Sequence, residues 1–575
     1  MHGTWKAAIL SAAAAAVSCR DPEPRDYEKE LRSERPSDEY SIAPSSEPFT
    51  RYPTIEGPDR AKEAQEFALT VSLTEDLVTP EVRVSEGGTE EGAVDLSGLP
   101  ASERGWSLDV VLEAPGFELR DGRNAAAIAL PRDGDSTRAV FWLTPDEIEG
   151  AEKERSIYVL FWHQGRFLAK SVRKTTVVAA QTVGAESLST ASAGDATPSP
   201  GAVPLSLSGQ GADLTVFLID NGNGTANVLL GSPHLQYAHS RLSVDPAHLR
   251  WIEAELQKIA AHGARGVAAA NGTPPPPRKE LTTPLLEGFG RELYTKVAPE
   301  IFKLAFWHLK DEHGRDFESI QIISDVTGIP WELMRPSRSD GTDEGGFLGV
   351  DFRIARWPLN RVHTTLPSPP ATLVLQDLVA VAPRYEEGLP GQTVELRALS
   401  SVPGYREVPG RLESFRTIFA NPPAGFVHFA GHGRAASSPA GITDFRLVLE
   451  DAEVDVSTFR GLFSPAATTH PFVFLNACHL GAAETIGNFV SGWAPAVLEG
   501  GGSGYIGALW PVGDAGAAAM GAHFYEVLDR SLEDGTAVVG DALKSGRKLF
   551  YQDGDPSFLA YVYYGDPNFV VERRN

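Results

Sequence analysis

Cysteine is almost absent from this chain: 575 residues hold it only at positions 19 and 478. A disulfide framework is therefore not what builds the fold, and the interior does not depend on oxidation. Basic charge is scarce too, with 51 Lys and Arg against 76 Asp and Glu and a net charge of −25. Phosphate binding needs clustered Lys and Arg, and no such cluster occurs, which argues against a direct nucleic-acid partner. Beyond the N-terminus no stretch of eighteen or more apolar residues appears, which argues against a membrane-spanning chain. Internal repeats are missing as well. What remains is an acidic chain, 42% hydrophobic, long enough for several ordinary cores.

Two strings stand out against that background, Phe426-Val-His-Phe-Ala-Gly-His432-Gly433 and Phe472-Val-Phe-Leu-Asn-Ala-Cys478-His-Leu-Gly. Phe426 to Ala430 and Phe472 to Leu475 are short continuous apolar runs, the pattern of strands covered on both faces, and each ends at a reactive side chain. Open α/β sheets place their chemistry on loops leaving the carboxyl ends of such strands. A thiol needs a base or a cationic neighbour to become a thiolate, and an imidazole supplies either. The pairing of His432 and Cys478 points to a cysteine peptidase. Gly433, lacking a side chain, lets its backbone N–H approach a developing oxyanion.

These strings resemble those of the CHAT peptidases, bacterial relatives of caspases and separases. Gly328-Ile-Pro-Trp-Glu-Leu333, Phe347-Leu-Gly-Val-Asp-Phe-Arg-Ile354, Gly507-Ala-Leu-Trp510-Pro-Val-Gly-Asp514 and Tyr563-Tyr-Gly565-Asp566-Pro567 are similar to further family segments, in the right order over residues 320 to 570. The resemblance implies an α/β caspase-like domain with a mostly parallel sheet. It implies His432 as general base and acid, Cys478 as nucleophile, and the N–H groups of Gly433 and Cys478 as oxyanion donors. Peptide hydrolysis would run through an acyl-enzyme without metal or cofactor. Trp510 and Asp514 stand where separase relatives form a pocket for a basic side chain. For Asp514 helix capping ahead of Ala515 to Met520 is an equal alternative. The family's usual company implies a protein substrate encoded nearby, and a role in defence or programmed cell death.

Two alternatives to a regulated endopeptidase stay open: an inactive caspase-like scaffold, and a thiol acyltransferase or amidase using the same dyad. His428 and His432 are about 13 Å apart on a strand rising ~3.3 Å per residue, so they do not share a metal ion. His428 reads as a packed strand residue, His470 as solvated, and His479 has no assigned role.

The rest of the chain divides by composition. Residues 1–58 form a signal-like or disordered segment. Lys6, the run Ala7 to Val17 and then Ser18-Cys19 have the shape of a bacterial lipoprotein signal with Cys19 as lipid acceptor. The alternative is an alanine-rich helix. Resembling peptidases work inside the cell, so the cytoplasm is the compartment adopted, with a membrane partner only if Cys19 is lipidated. Residues 59–178 alternate apolar and polar positions, as in Phe67, Leu69, Val71 and Leu73, and predict a separate all-β sandwich for docking an activator or sensor. Residues 179–212 are a flexible linker. Residues 213–365 form the N-terminal part of the CHAT region and 366–575 the catalytic domain. Asp245 and Pro246 open a helix with Leu249, Ile252, Leu256 and Ile259 on one face. Helical periodicity also runs from Leu293 to Leu309. Arg434 to Thr469 reads as a plain surface loop, the alternative being a loop that shapes a substrate groove or is cut on activation, as in caspase-like folds.

Overall fold

The computed structural model describes residues 50–75, 94–95, 105–163, 165–179, 211–221, 224–235, 237–264, 279–326, 328–342, 344–359, 369–437, 443–463, 469–479, 488–510 and 512–573. Cys19, the N-terminal segment before residue 50 and nearly all of the 179–212 linker lie outside them.

Residues 50–178 make two five-stranded sheets. One runs Val94–Asp95, Thr50–Glu56, Phe67–Thr74, Ala139–Pro145, Phe117–Leu119. The other runs Arg60–Lys62, Arg166–Val178, Glu152–His163, Trp106–Glu113, Ala125–Leu130. Their alternating residues, among them Leu69, Val71, Val110, Leu112, Phe141, Val159 and Phe161, share one core. The two-residue period is the mechanism, since it turns every second side chain inward.

This unit is not separate from the rest of the chain. The second sheet also buries Val111, Leu160, Trp162 and Phe167 on its other face, against Phe217, Ile219, Leu229, Tyr237, Ile323 and Trp357. The Trp162 ring lies 5.6 Å from that of Tyr237 and 6.4 Å from that of Phe217. The Tyr237 hydroxyl donates to Asp109 at 3.0 Å, and Arg166 pairs with Asp566 at 3.3 Å. The sequence carries the reason. Val110-Val-Leu112 and Val159-Leu-Phe-Trp162 are continuous apolar runs inside an otherwise alternating pattern, and a strand apolar on both faces must be covered twice.

Strands from 214 to 564 form a single 13-stranded sheet. Its path is Ala238–Ser243, Thr225–Gly231, Leu214–Asp220, Ser319–Ser324, Arg353–Pro358, Tyr561–Tyr564, Gly504–Ala508, Phe472–His479, Gly425–Ser437, Asp377–Ala382, Tyr405–Pro409. Strands on both sides of position 366 therefore share it. The sheet is mixed rather than mostly parallel. Leu214–Asp220 and Thr225–Gly231 form a hairpin at one end, Tyr561–Tyr564 runs antiparallel to Gly504–Ala508, and Thr443–Val448 runs antiparallel to Gly425–Ser437. Short connections cannot make parallel crossovers, so the hairpin around Asn221 and Gly224 forces reversal. Thr372–Leu375 belongs instead to a three-stranded sheet with Val570–Arg573 and Thr536–Val538.

The helix Pro246–Ala264 starts where its capping signal sits, with the Asp245 carboxylate accepting from the Ala247 N–H at 2.7 Å. Ile252, Leu256 and Ile259 are buried. The Leu293 to Leu309 stretch is two helices, Lys279–Val297 and Glu300–His313, divided at Pro299. Proline has no N–H to donate and its ring crowds the preceding turn, so the first helix ends before it. Among the described residues no helix is long and apolar enough to cross a membrane.

Candidate active site

The two apolar runs lie side by side as parallel strands, in register from Phe426↔Phe472 to Gly433↔His479. In that ladder the partner of His432 is Cys478. Alternation places positions 426, 428, 430 and 432 on one face, with 472, 474, 476 and 478 beside them. Helix Asp514–Glu533 covers this face, where Tyr525 packs on both Phe426 and His428. The flanking strands stop short: Asp377–Ala382 pairs no further than Phe429, and Gly504–Ala508 no further than Leu475. His432 and Cys478 thus stand past the last paired residues of both neighbours.

Neither residue ends its strand. The histidine strand continues to Ser437 and from His432 onward takes Thr443–Val448 as a new antiparallel partner. The cysteine strand runs to His479. The segment 434–469 is accordingly not a plain loop: it contains strands Thr443–Val448 and Glu453–Val454 and helix Val456–Leu462.

His432 is half-buried, and burial holds its imidazole below the ordinary histidine range, with Asp514 and Glu387 opposing more weakly. A neutral ring at pH 7 is the state that accepts a thiol proton. Nδ1 is buried and has no hydrogen-bond partner among the described residues. Tyr385 is the nearest organiser. Its hydroxyl accepts from the His432 backbone N–H at 2.8 Å and donates to the Val448 carbonyl at 2.8 Å, and its ring centroid is 4.3 Å from the imidazole. The two glycines beside His432 make room for rings. A Cβ on Gly431 would lie 2.6 Å from the Tyr385 hydroxyl, and one on Gly433 would lie 2.4 Å from Phe445 Cζ.

Under the strand ends lies a buried polar network. Glu395, on helix Pro390–Leu399, accepts at Oε1 from His428 Nε2 at 2.8 Å and from Asn476 Nδ2. His428 Nδ1 meets the Tyr525 hydroxyl at 3.1 Å, and Asn476 also donates to the Ala517 carbonyl and accepts from Tyr561. One carboxylate therefore ties the histidine strand to the cysteine strand beneath the candidate site. Helix Asp514–Glu533 approaches only because position 521 is glycine, where a Cβ would fall 2.1 Å from Glu395 Oε1. His428 is the packed strand residue the sequence predicts, fully buried with both ring nitrogens engaged. No cluster of three metal-ligating side chains occurs among the described residues.

The other sequence candidates fall in different places. Asp514 is the first residue of its helix, not the cap, which is Gly513. Its carboxylate accepts instead from the Gly391 N–H at 2.8 Å, in the first turn of helix Pro390–Leu399. A negative charge is favoured there because the first-turn N–H groups lack intrahelical acceptors. Trp510 is a core residue, 4% exposed, with little surface to offer a substrate. His470 is not simply solvated, since its Nδ1 meets the Gly501 carbonyl at 2.8 Å. Cys19 lies outside the described residues.

Tyr385 and Glu395 escape sequence reasoning. Tyr385 does follow a strand end, in a Pro383-Arg-Tyr-Glu-Glu-Gly388 turn, and strand-end loops carry chemistry. Glu395 is one acidic residue in an amphipathic helix, and only the fold shows that it points inward.

Residues 289–550 match the CHAT domain family. Among solved structures the chain is similar to the Arg-specific cysteine proteinase gingipain R, RgpB, at 14% identity, covering 49% of this chain and 70% of that one with a TM-score of 0.34. It is similar to the RgpB pro- and mature domains of Porphyromonas gingivalis at 12% identity, covering 48% and 71%, TM-score 0.34. It is similar to the separase–securin complex of Saccharomyces cerevisiae at 12% identity, covering 63% of this chain but only 30% of that one, TM-score 0.38. No curated protein sequence matches significantly.

Proposed function

We propose that this chain, which carries a CHAT domain over residues 289–550, is a regulated cysteine endopeptidase that cleaves partner proteins through His432 and Cys478. The observation that carries the reading is the register of the two strands, in which His432 and Cys478 are direct partners beyond the last paired residues of both flanking strands.

The chemistry follows from that placement. His432 removes the thiol proton, and the sulfur of Cys478 attacks the scissile carbonyl carbon, moving the π electrons onto oxygen. Collapse of the tetrahedral intermediate breaks the C–N bond, and the imidazolium gives its proton to the leaving amine. Water, deprotonated by His432, then attacks the thioester and releases the thiolate. The N–H groups of Gly433 and Cys478 are the oxyanion donors of this reading. Asp514 remains a candidate for the acidic side of a substrate pocket through its field at His432. The sheets of residues 50–178 are the recognition element in this reading.

An acyloxymethyl ketone peptide tests it: the wild-type chain is labelled at Cys478, and Cys478→Ala abolishes both labelling and cleavage of a peptide library. A labelled chain that leaves every peptide uncut is an acyltransferase or amidase. A chain that is not labelled at all is a scaffold.

A further inference from the structure

The best-known catalytic dyads and triads fix their base with a third group that accepts from the ring nitrogen facing away from the nucleophile. Among the described residues Nδ1 of His432 has no such acceptor. Orientation must then come from elsewhere, and the contacts around the ring identify the source.

We propose that Tyr385 is the positioning residue for His432, fixing the imidazole by clamping its backbone and covering its ring rather than by bonding a ring nitrogen. This deepens the peptidase reading and rests on His432 being its base. The hydroxyl sits between two strands, accepting from the His432 N–H and donating to the Val448 carbonyl, each at 2.8 Å. A buried main-chain donor and acceptor are both satisfied by that single oxygen, which fixes the strand at the point where it changes partners. The phenol ring at 4.3 Å then limits the side-chain rotamers open to His432.

The turn that carries Tyr385 is itself held on both sides. Gln392 Nε2 donates to the Pro383 carbonyl at 3.0 Å and to the Ala430 carbonyl of the histidine strand at 2.7 Å. The Arg384 N–H donates to Glu450 at 3.1 Å, and the Gly388 N–H returns to the Tyr385 carbonyl at 3.0 Å. Gly431 completes the device, because a side chain there would displace the hydroxyl. A base held by packing and a rigid second layer is placed as well as one held by a ring hydrogen bond.

The charged groups that act on the ring are Asp514 on helix Asp514–Glu533 and Glu387 on the turn of Tyr385. Tyr385→Phe keeps the ring and removes the clamp. Tyr385→Leu removes both. The first is expected to lower kcat about 10- to 100-fold with KM within about twofold, the size of effect that a small misplacement of a catalytic group produces.

The ring is read directly, whether or not the chain cleaves anything, by carbethoxylation of His432 with diethyl pyrocarbonate, which attacks only neutral imidazole, followed by mass spectrometry. Tyr385→Leu should raise the limiting rate severalfold and move the pH midpoint upward toward 6.5, while Tyr385→Phe keeps the wild-type midpoint. Circular dichroism and thermal melts establish that both variants fold. Wild-type rate and midpoint in folded Tyr385→Leu overturn the proposal, and so does wild-type kcat in Tyr385→Phe. A wild-type chain without cleavage, in which the carbethoxylation shift nevertheless appears, retires the peptidase reading and leaves the orienting role standing.

Discussion

His432 and Cys478 are opposite partners in one parallel ladder. Adjacent strands run ~4.8 Å apart, so backbone register alone sets these two residues side by side, with no loop closure required. Two strand cores, Phe426 to Ala430 and Phe472 to Leu475, hold that register, all but His428 being apolar and all buried. Replacing the thiol should therefore remove chemistry without removing the fold. Cys478→Ala is expected to cut peptide turnover about 10³-fold or more and to melt near the wild-type temperature. Retention of a tenth of the wild-type rate in that variant would end the dyad reading.

Burial sets the pH behaviour of the His432 imidazole. Because desolvation lowers the His432 pKa, the acid limb of kcat/KM should have its midpoint below 6.5, with full activity at neutral pH. The sign for stability follows by linkage. Above 6.5 the ring is neutral in both folded and unfolded chains and contributes nothing. Between 6.5 and the lower folded pKa only the unfolded chain takes the proton, so stability falls as pH drops through that window and levels off beneath it. His432→Gln should flatten this part of the stability profile, measured by urea unfolding at half-unit steps of pH. An unchanged slope would assign the effect to another group.

The site strands were legible because a strand buried on both faces must be almost wholly apolar, and His432 and Cys478 each follow such a run, broken only by His428. The packing of residues 50–178 on the rest of the chain was legible in principle from Val159-Leu-Phe-Trp162, yet the surrounding alternation masks it. The mixed character of the sheet was legible at the Asn221 to Gly224 hairpin but not at its centre, where direction depends on how Tyr561–Tyr564 returns between Arg353–Pro358 and Gly504–Ala508, a choice made by tertiary packing. Asp514 shows the same limit. Its capping chemistry was anticipated, but the N-terminus it serves belongs to a helix more than a hundred residues away.

Glu395 gathers donors from two strands at one buried carboxylate oxygen, so its removal strands several groups at once. Glu395→Ala takes from His428 the partner of its Nε2 and from Asn476 one of two acceptors in a buried interior, and such a loss costs about 3–5 kcal/mol. Glu395→Gln keeps an oxygen in place and should recover more than half of that loss. Because the same oxygen ties the strands beneath His432 and Cys478, the alanine variant should also lose about tenfold in kcat. Thermal melts and turnover measured side by side test the link, and a destabilised variant with wild-type kcat would make the network purely structural.

The seam between the two units contains a carboxyl that burial penalises. Glu113 is 5% exposed, its Oε1 has no partner among the described residues, and its Oε2 accepts from Asn227 across the seam at 3.2 Å. Desolvation pushes its pKa up to about 8, so in the folded chain it holds its proton at neutral pH. The unfolded chain releases that proton near 4.5. Stability should consequently fall as pH rises from about 5 to 8, because the unfolded state gains ionisation that the fold resists. Glu113→Gln presents the neutral side chain permanently. It should stabilise the seam by about 1–3 kcal/mol at pH 8 and have little effect at pH 5. Thermal unfolding of the two proteins at both pH values measures the difference. Equal shifts at pH 5 and 8 would mean that the gain comes from packing rather than from the buried proton.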